Sequence, residues 1–276
     1  MSDQALKRPI SQPRDRQPDL TSTWRVSWVI SDTIVMTKRN LMKYIRLPQL
    51  LVFSTIQPVM FVLLFAFVFG GAIDTPGVDY INFLIPGILI QSVVFGSSQT
   101  SVGLADDLNK GMIDRYRSLP MTRGAVMAGR TLADSIRNTF VVFLMLGVGT
   151  AIGFRYQDGL LKALAAVALV VLFGYAFSWI AAFIGLLTRN PEIAGVAGFI
   201  WVFPLVFASS VFVPVETMPS WLQAFAEVQP ISATADTVRA LMLGTPVEKL
   251  WYMLAWMAAI LAVFIPLSVW KYRRLT

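Results

Sequence analysis

The chain has 276 residues, of which 56% are hydrophobic and only 14% charged, with a formal net charge of +7 and a mean hydropathy of +0.64. A soluble domain carries about 25% charged residues, so this is the composition of a membrane protein. Cysteine and histidine are both absent, which excludes disulfide frameworks, thiolate or imidazole metal sites and Ser/His/Asp triads.

Residues 1–23 are polar and proline-bearing, with no apolar core for a signal peptide, and read as a disordered cytosolic tail. Residues 24–46 follow as an expected amphipathic helix. At 100° per residue Arg39, Lys43 and Arg46 fall on one side and Ile30, Ile34, Leu41 and Ile45 on the other. Such a helix lies in the membrane interface with its cations toward phosphates.

A helix crossing the hydrocarbon layer needs about 20 mostly apolar residues. Six stretches meet that length, at about 49–71, 81–105, 129–153, 161–187, 193–213 and 249–270. Pro58, Pro86 and Pro204 fall inside spans, where they kink the helix. With both termini in the cytosol, the outer side holds only Arg155, Lys162, Arg239 and Lys249 of the 23 basic residues, and Arg137 falls within the third span. That asymmetry sets the orientation and accounts for the positive charge without a nucleic-acid partner. The expected fold class is therefore all-α: a polytopic membrane protein with six transmembrane helices, an interfacial helix before them and short re-entrant helices before the last span.

Between the second and third spans, residues 106–119 begin with Asp106 and Asp107, carry Lys110 and Asp114, and end with Arg115 and Arg117. Acid first and base last match a helix dipole, and Pro120 stops the helix. Met112, Ile113 and Tyr116 beside these charges suggest a face that docks on another protein. Asn190, Pro191 and Glu192 spell a helix start, as cap, first position and dipole partner, and with Arg189 could form a second cytosolic contact. Asp134 and Arg137, three apart in the third span, share a helix face and can form an intramembrane ion pair, structural or functional. Ser54 and Gln57 on the first span, and Gln91 and Ser98 on the second, are polar groups in lipid that face either other helices or a translocation path. Outside, residues 214–246 hold Trp221, Leu222, Phe225 and Val228 at helical spacing, then a second amphipathic stretch between Pro230 and Gly244.

No G-x-x-x-x-G-K-[ST] loop occurs, and no acidic pair has metal-site spacing, so no catalytic residue and no metal are expected in this chain. The stretches FLIPGILIQ (83–91), GMIDRYRSLPMTRGAVMAGR (111–130), LLTRNPE (186–192) and VFVPVETMPSWLQAFAEVQP followed by TVRALMLG occur in that order. With six spans they resemble the membrane subunits of ABC type-2 transporters, in the branch of daunorubicin/doxorubicin-resistance permeases. The resemblance covers most of the chain from residue 24.

That resemblance implies a cytosolic ATPase partner, usually two permeases with two ATPases, and ATP with Mg on the ATPase instead of a cofactor here. Two copies of this chain, a homodimer, are the expected permease pair. The resemblance makes residues 24–46 the connecting helix and 106–119 the coupling helix seated in the ATPase, with Asp107, Lys110, Asp114, Arg115, Tyr116, Arg117 and Pro120 as its contact. It also makes 214–246 the re-entrant helices. The implied function is export of a hydrophobic drug, natural product or lipid-like molecule across a bacterial plasma membrane. A lipid or glycolipid flippase of the same family is the alternative within transport, and an ion-gradient-driven secondary transporter the alternative outside it.

Overall fold

The computed structural model describes residues 22–73, 75, 77–117 and 121–274, and helices are the only regular elements among those residues. Residues 1–21 of the expected tail, Pro120, and the side chains of Asp114 and Arg117 lie outside the described residues.

The chain begins with α1 (Ser22–Arg46), whose exposed Ile30, Ile34 and Ile45 form the expected apolar face. Pro48 occupies the first turn of α2 (Pro48–Leu63), where a missing N–H costs nothing. The helix then widens into a π-helix over Leu64–Phe69. The next helix, α3 (Tyr80–Asn109), is the axis of the fold, packing against α2, α5, α6, α7 and α9. At 1.5 Å per residue its 30 residues run about 45 Å, well beyond the ~30 Å hydrocarbon layer.

The segment expected as one helix over 106–119 is divided. Asp106–Asn109 form the last turn of α3, and Gly111, at φ +64°, turns the chain into a separate six-residue helix, α4 (Met112–Arg117). Only glycine enters that left-handed region without a Cβ penalty, which is why the break falls there. The next helix, α5 (Arg123–Ala151), starts six residues ahead of the third expected span, so its first turns carry the polar residues Arg130, Asp134 and Arg137.

A long apolar helix, α6 (Gly159–Thr188), ends at Arg189, the one non-glycine residue with positive φ (53°) among the described residues. Asn190 Oδ1 then accepts from the backbone N–H of Glu192 (2.8 Å) and Ile193 (3.3 Å), capping α7 (Pro191–Phe207) as its sequence spells out. A 3₁₀ turn at Val215–Thr217 leads to α8 (Ser220–Val228) and α9 (Pro230–Leu243), which Gly244 closes. Trp221, Phe225 and Val228 leave an exposed apolar face on α8, whereas α9 is buried among α3, α6 and α10 (Leu250–Arg274).

By length and apolarity α3, α5, α6 and α10 can cross a membrane, while Ser54–Phe69 and α7 are apolar but shorter. The main core lies between α3 and its neighbours. A second core, at the end carrying α4, gathers Met36, Leu104, Tyr116, Met127, Trp179 and Tyr272 from α1, α3, α4, α5, α6 and α10.

Candidate functional site

At the end of the bundle where α3 stops and α5 begins, charged side chains from α1, α3 and α5 meet in the interior. Asp134 is completely buried. Its carboxylate accepts from Thr100 Oγ1 (2.6 Å), Tyr44 Oη (2.8 Å) and Arg130 Nε (3.3 Å), and Arg137 Nη1 lies 3.8 Å away. Tyr44 bridges the expected Asp134–Arg137 pair, since its hydroxyl donates to Asp134 and accepts from Arg137 Nη1 at 3.0 Å. Burial first, and then the charge of Asp134, push the Tyr44 phenol up to about 12, so it keeps the proton that this bridge requires.

Room for the two arginines comes from α3. Gly96 and Gly103 are seven apart and therefore on one face. A Cβ on Gly103 would stand 1.7 Å from Arg130 Nη2, and one on Gly96 2.5 Å from Asn138 Oδ1. Arg137 Nη2 donates to the Gly96 carbonyl at 2.6 Å and Arg130 Nη2 to that of Gln99 at 3.4 Å, so these guanidinium groups lie against bare α3 backbone.

One turn beyond, Asp107 gathers the rest of the cluster. Lys43 Nζ donates to it at 3.0 Å, with Arg39 Nη2 at 3.7 Å and Arg130 Nη1 at 3.9 Å. Arg39 also lies over the Tyr116 ring, 4.6 Å from its centroid. Burial lowers the Arg39 pKa, opposed by Asp107, yet from an ordinary value of 12.5 the guanidinium keeps its charge.

These contacts redirect several sequence expectations. Of the three cations placed toward lipid phosphates, Arg39 and Lys43 turn to Asp107, because that carboxylate is buried 3–4 Å away; Arg46 alone is exposed. Of the residues placed on a docking surface, Asp107 and Tyr116 are buried, the first in this cluster and the second in the core beneath α4. Lys110, paired with Asp106 at 2.7 Å, and Arg115 are exposed. Arg189 and Glu192 are exposed on the α6–α7 turn.

Beside the cluster, α1, α2, α3 and α5, with the start of α7, line an open cavity of ~410 Å³. Ser54 and Gln57 line it, together with Tyr44, Gln99, Arg130 and Arg137. Gln91 and Ser98 do not: Gln91 is buried in the core face of α3, and Ser98 packs against Gly198 of α7. Arg130 and Tyr44 were not singled out from the sequence. The four-residue spacing of Arg130 and Asp134 could have revealed the first, whereas no local pattern announces a tyrosine that reaches a partner 90 positions away.

Among the described residues no group of three or more Asp or Glu side chains could hold a metal ion. A fixed ion-pair cluster that joins three helices, with a short helix docked against it, can carry displacement from one end of the bundle into the long helices.

Comparison with known proteins places these features in context. The ABC-2 type transporter family model matches residues 31–243. The chain is 34% identical over 247 residues to the daunorubicin resistance ABC transporter permease protein DrrB1 of Streptomyces coeruleorubidus, covering 88% of this chain and 87% of that protein. It is 26% identical over 248 residues to the probable doxorubicin resistance ABC transporter permease protein DrrC of Mycobacterium tuberculosis, covering 89% of each. The probable multidrug ABC transporter permease YbhR of Escherichia coli matches at 25% over 170 residues, 61% of this chain and 45% of that one.

Proposed function

The chain belongs to the ABC-2 type transporter family, and on that premise we propose that it is the permease subunit of an ATP-driven exporter of hydrophobic drugs or similar amphiphiles. The observation that carries this reading is the match along 88% of the chain to a daunorubicin resistance permease. The absence of a phosphate-binding loop from the sequence agrees with it, because the energy must then come from a separate ATPase.

In this reading α2 with its π extension, α3, α5, α6, α7 and α10 are the six spans of a bacterial inner-membrane protein with cytosolic termini. The α8–α9 pair is the re-entrant segment. Two copies of the chain form the pathway and two ATPase subunits, holding ATP and Mg, drive it. The ATPase meets the α3–α4 corner and the α6–α7 turn through exposed groups, Lys110 at the end of α3 and Arg115 on α4 at the first, Arg189 and Glu192 at the second. Buried Tyr116 and Asp107 sit behind them. Motion of α4 reaches α1 through the Arg39–Tyr116 contact, and α5 and α3 through Asp107, Arg130 and Asp134. That is a two-state element which ATPase closure can bias.

Co-expression with a candidate ABC ATP-binding subunit from the same organism, followed by daunorubicin uptake into inverted vesicles, tests the proposal. ATP-dependent uptake that stops when the ATPase is made hydrolysis-deficient is expected. Uptake that continues on an ion gradient without hydrolysis would overturn it.

A further inference from the structure

The charges around the cavity do not balance. Lys43, Arg130 and Arg137 line it and face, within ion-pair distance among the described residues, only Asp107 and Asp134, and Arg39 beside the cavity also draws on Asp107: four cations against two carboxylates. Asp106 also lines the cavity, but its carboxylate is engaged by Lys110 at 2.7 Å. Two guanidinium nitrogens of the cluster, Arg39 Nη1 and Arg137 Nε, are buried without a hydrogen-bond partner. Arg130 and Arg137 are the buried pair among the four cations, and buried cations are costly unless anions complete them.

We infer that this cavity binds the phosphate of an anionic amphiphile, as presented by a phosphatidylglycerol headgroup. Lys43, Arg130 and Arg137 line the space and supply the charge, while Asn40, Ser54 and Gln57 add neutral polar contacts of the kind that orient a phosphodiester and its hydroxyls. The volume of ~410 Å³ falls within the range of about 300–1,000 Å³ of small-ligand sites. One wall is α2, whose Val52, Ile56 and Met60 are exposed apolar side chains, so acyl chains could stay in lipid while the headgroup enters. The inference rests on reading α2 and α3 as spans, but not on the ATPase or on the identity of any exported drug.

Native mass spectrometry of the purified full chain, with phosphatidylglycerol, phosphatidylcholine, diacylglycerol and inorganic phosphate as separate probes, tests it. Retention of phosphatidylglycerol should exceed that of phosphatidylcholine by about tenfold, the equivalent of one charge-assisted hydrogen bond. The preference should weaken in high salt. Lys43→Gln should reduce it and Gln57→Trp, which fills the cavity without altering charge, should abolish it, with thermal unfolding of each variant checked alongside. Displacement by millimolar inorganic phosphate without lipid preference would assign the site to free phosphate in place of a lipid headgroup. Equal retention of all three lipids with no effect of phosphate overturns the inference, as does an unchanged preference in both variants when they fold. ATP-driven uptake that persists in such a case would leave the permease reading standing.

Discussion

Replacing Asp134 by asparagine removes the single carboxylate that Tyr44, Thr100, Arg130 and Arg137 share, while conserving volume. The side chain is fully buried, so water cannot substitute for it. Three donors lie within 3.3 Å and Arg137 within 3.8 Å. Asparagine keeps one acceptor oxygen but presents an NH₂ group to at least one of those donors, and it leaves four cations against Asp107 alone. Breaking a buried ion pair by removing one partner costs about 3–5 kcal/mol. At roughly 2–4 °C per kcal/mol for large domains, the unfolding temperature in detergent should fall on the order of 10 °C. Differential scanning fluorimetry of Asp134→Asn beside Asp107→Asn reads this directly. Asp107 should matter less, because its partners Lys43 and Arg39 are partly exposed and can regain water. A shift of under 2 °C for Asp134→Asn, or a larger one for Asp107→Asn, would show that the cluster does not hold these helices together.

Tyr44→Phe removes one hydrogen bond to a carboxylate and one from a guanidinium, and should cost about 2–4 kcal/mol; in a double-mutant cycle it should be non-additive with Asp134→Asn. The raised Tyr44 pKa also gives a sign: its contribution is complete below the ordinary value of 10.0 and is lost as pH rises toward about 12. Alkaline unfolding curves of the wild type and Tyr44→Phe should therefore converge across that window, and parallel curves would contradict the assignment. Tyr116→Phe should be neutral or slightly stabilising, since the buried Tyr116 hydroxyl has no partner among the described residues, whereas Tyr116→Ala should cost about 3–5 kcal/mol; the same melting assay separates them. Gly129→Ala should destabilise by about 1–3 kcal/mol, because a Cβ there would stand 2.5 Å from Met36 Cβ and 2.9 Å from the Thr33 carbonyl of α1. Gly147→Ala, with nothing within 4 Å, should gain up to about 1 kcal/mol. Arg115→Glu should lower ATPase recovery on co-purification, and undiminished recovery would remove α4 from the ATPase contact.

How much of this was legible in the sequence depends on the range over which each feature is encoded. Asn190, Pro191 and Glu192 announce their helix start within three residues, and Pro230 and Gly244 bracket α9 for equally local reasons. Asp134 and Arg137 share a face by spacing alone. The break at Gly111 is also local, yet the dipole pattern from Asp106 to Arg117 outweighed one glycine whose left-handed φ emerges only in the fold. Asp107 and Tyr116 looked like surface residues because charge and a phenol among charges suggest solvent. They turn inward because α1 packs along α5 and brings Arg39 and Lys43 over them, an arrangement set by contacts more than 60 positions apart. The cavity was half legible: Ser54 and Gln57 reach it, but which face of α3 meets it is fixed by Gly96 and Gly103, whose lack of side chains makes room for the arginines.

The two kinds of adhesion around the cavity have a mechanical consequence. Charged anchors bind α1, α3 and α5 into one stiff plate. Among its described residues the second helix has no such anchor: Ser54 and Thr55 bond to carbonyls of their own helix at Leu51 and Val52, and its buried side chains, Pro58 and Val62, are apolar. A helix held by packing alone can shift without breaking any directional bond, opposed only by its interdigitated side chains. The π segment at Leu64–Phe69 absorbs such a shift, since one extra residue per turn can migrate along a helix while its ends stay fixed. Under load, the α2 wall is therefore the panel free to move, and the plate carrying the arginines is the frame it moves against.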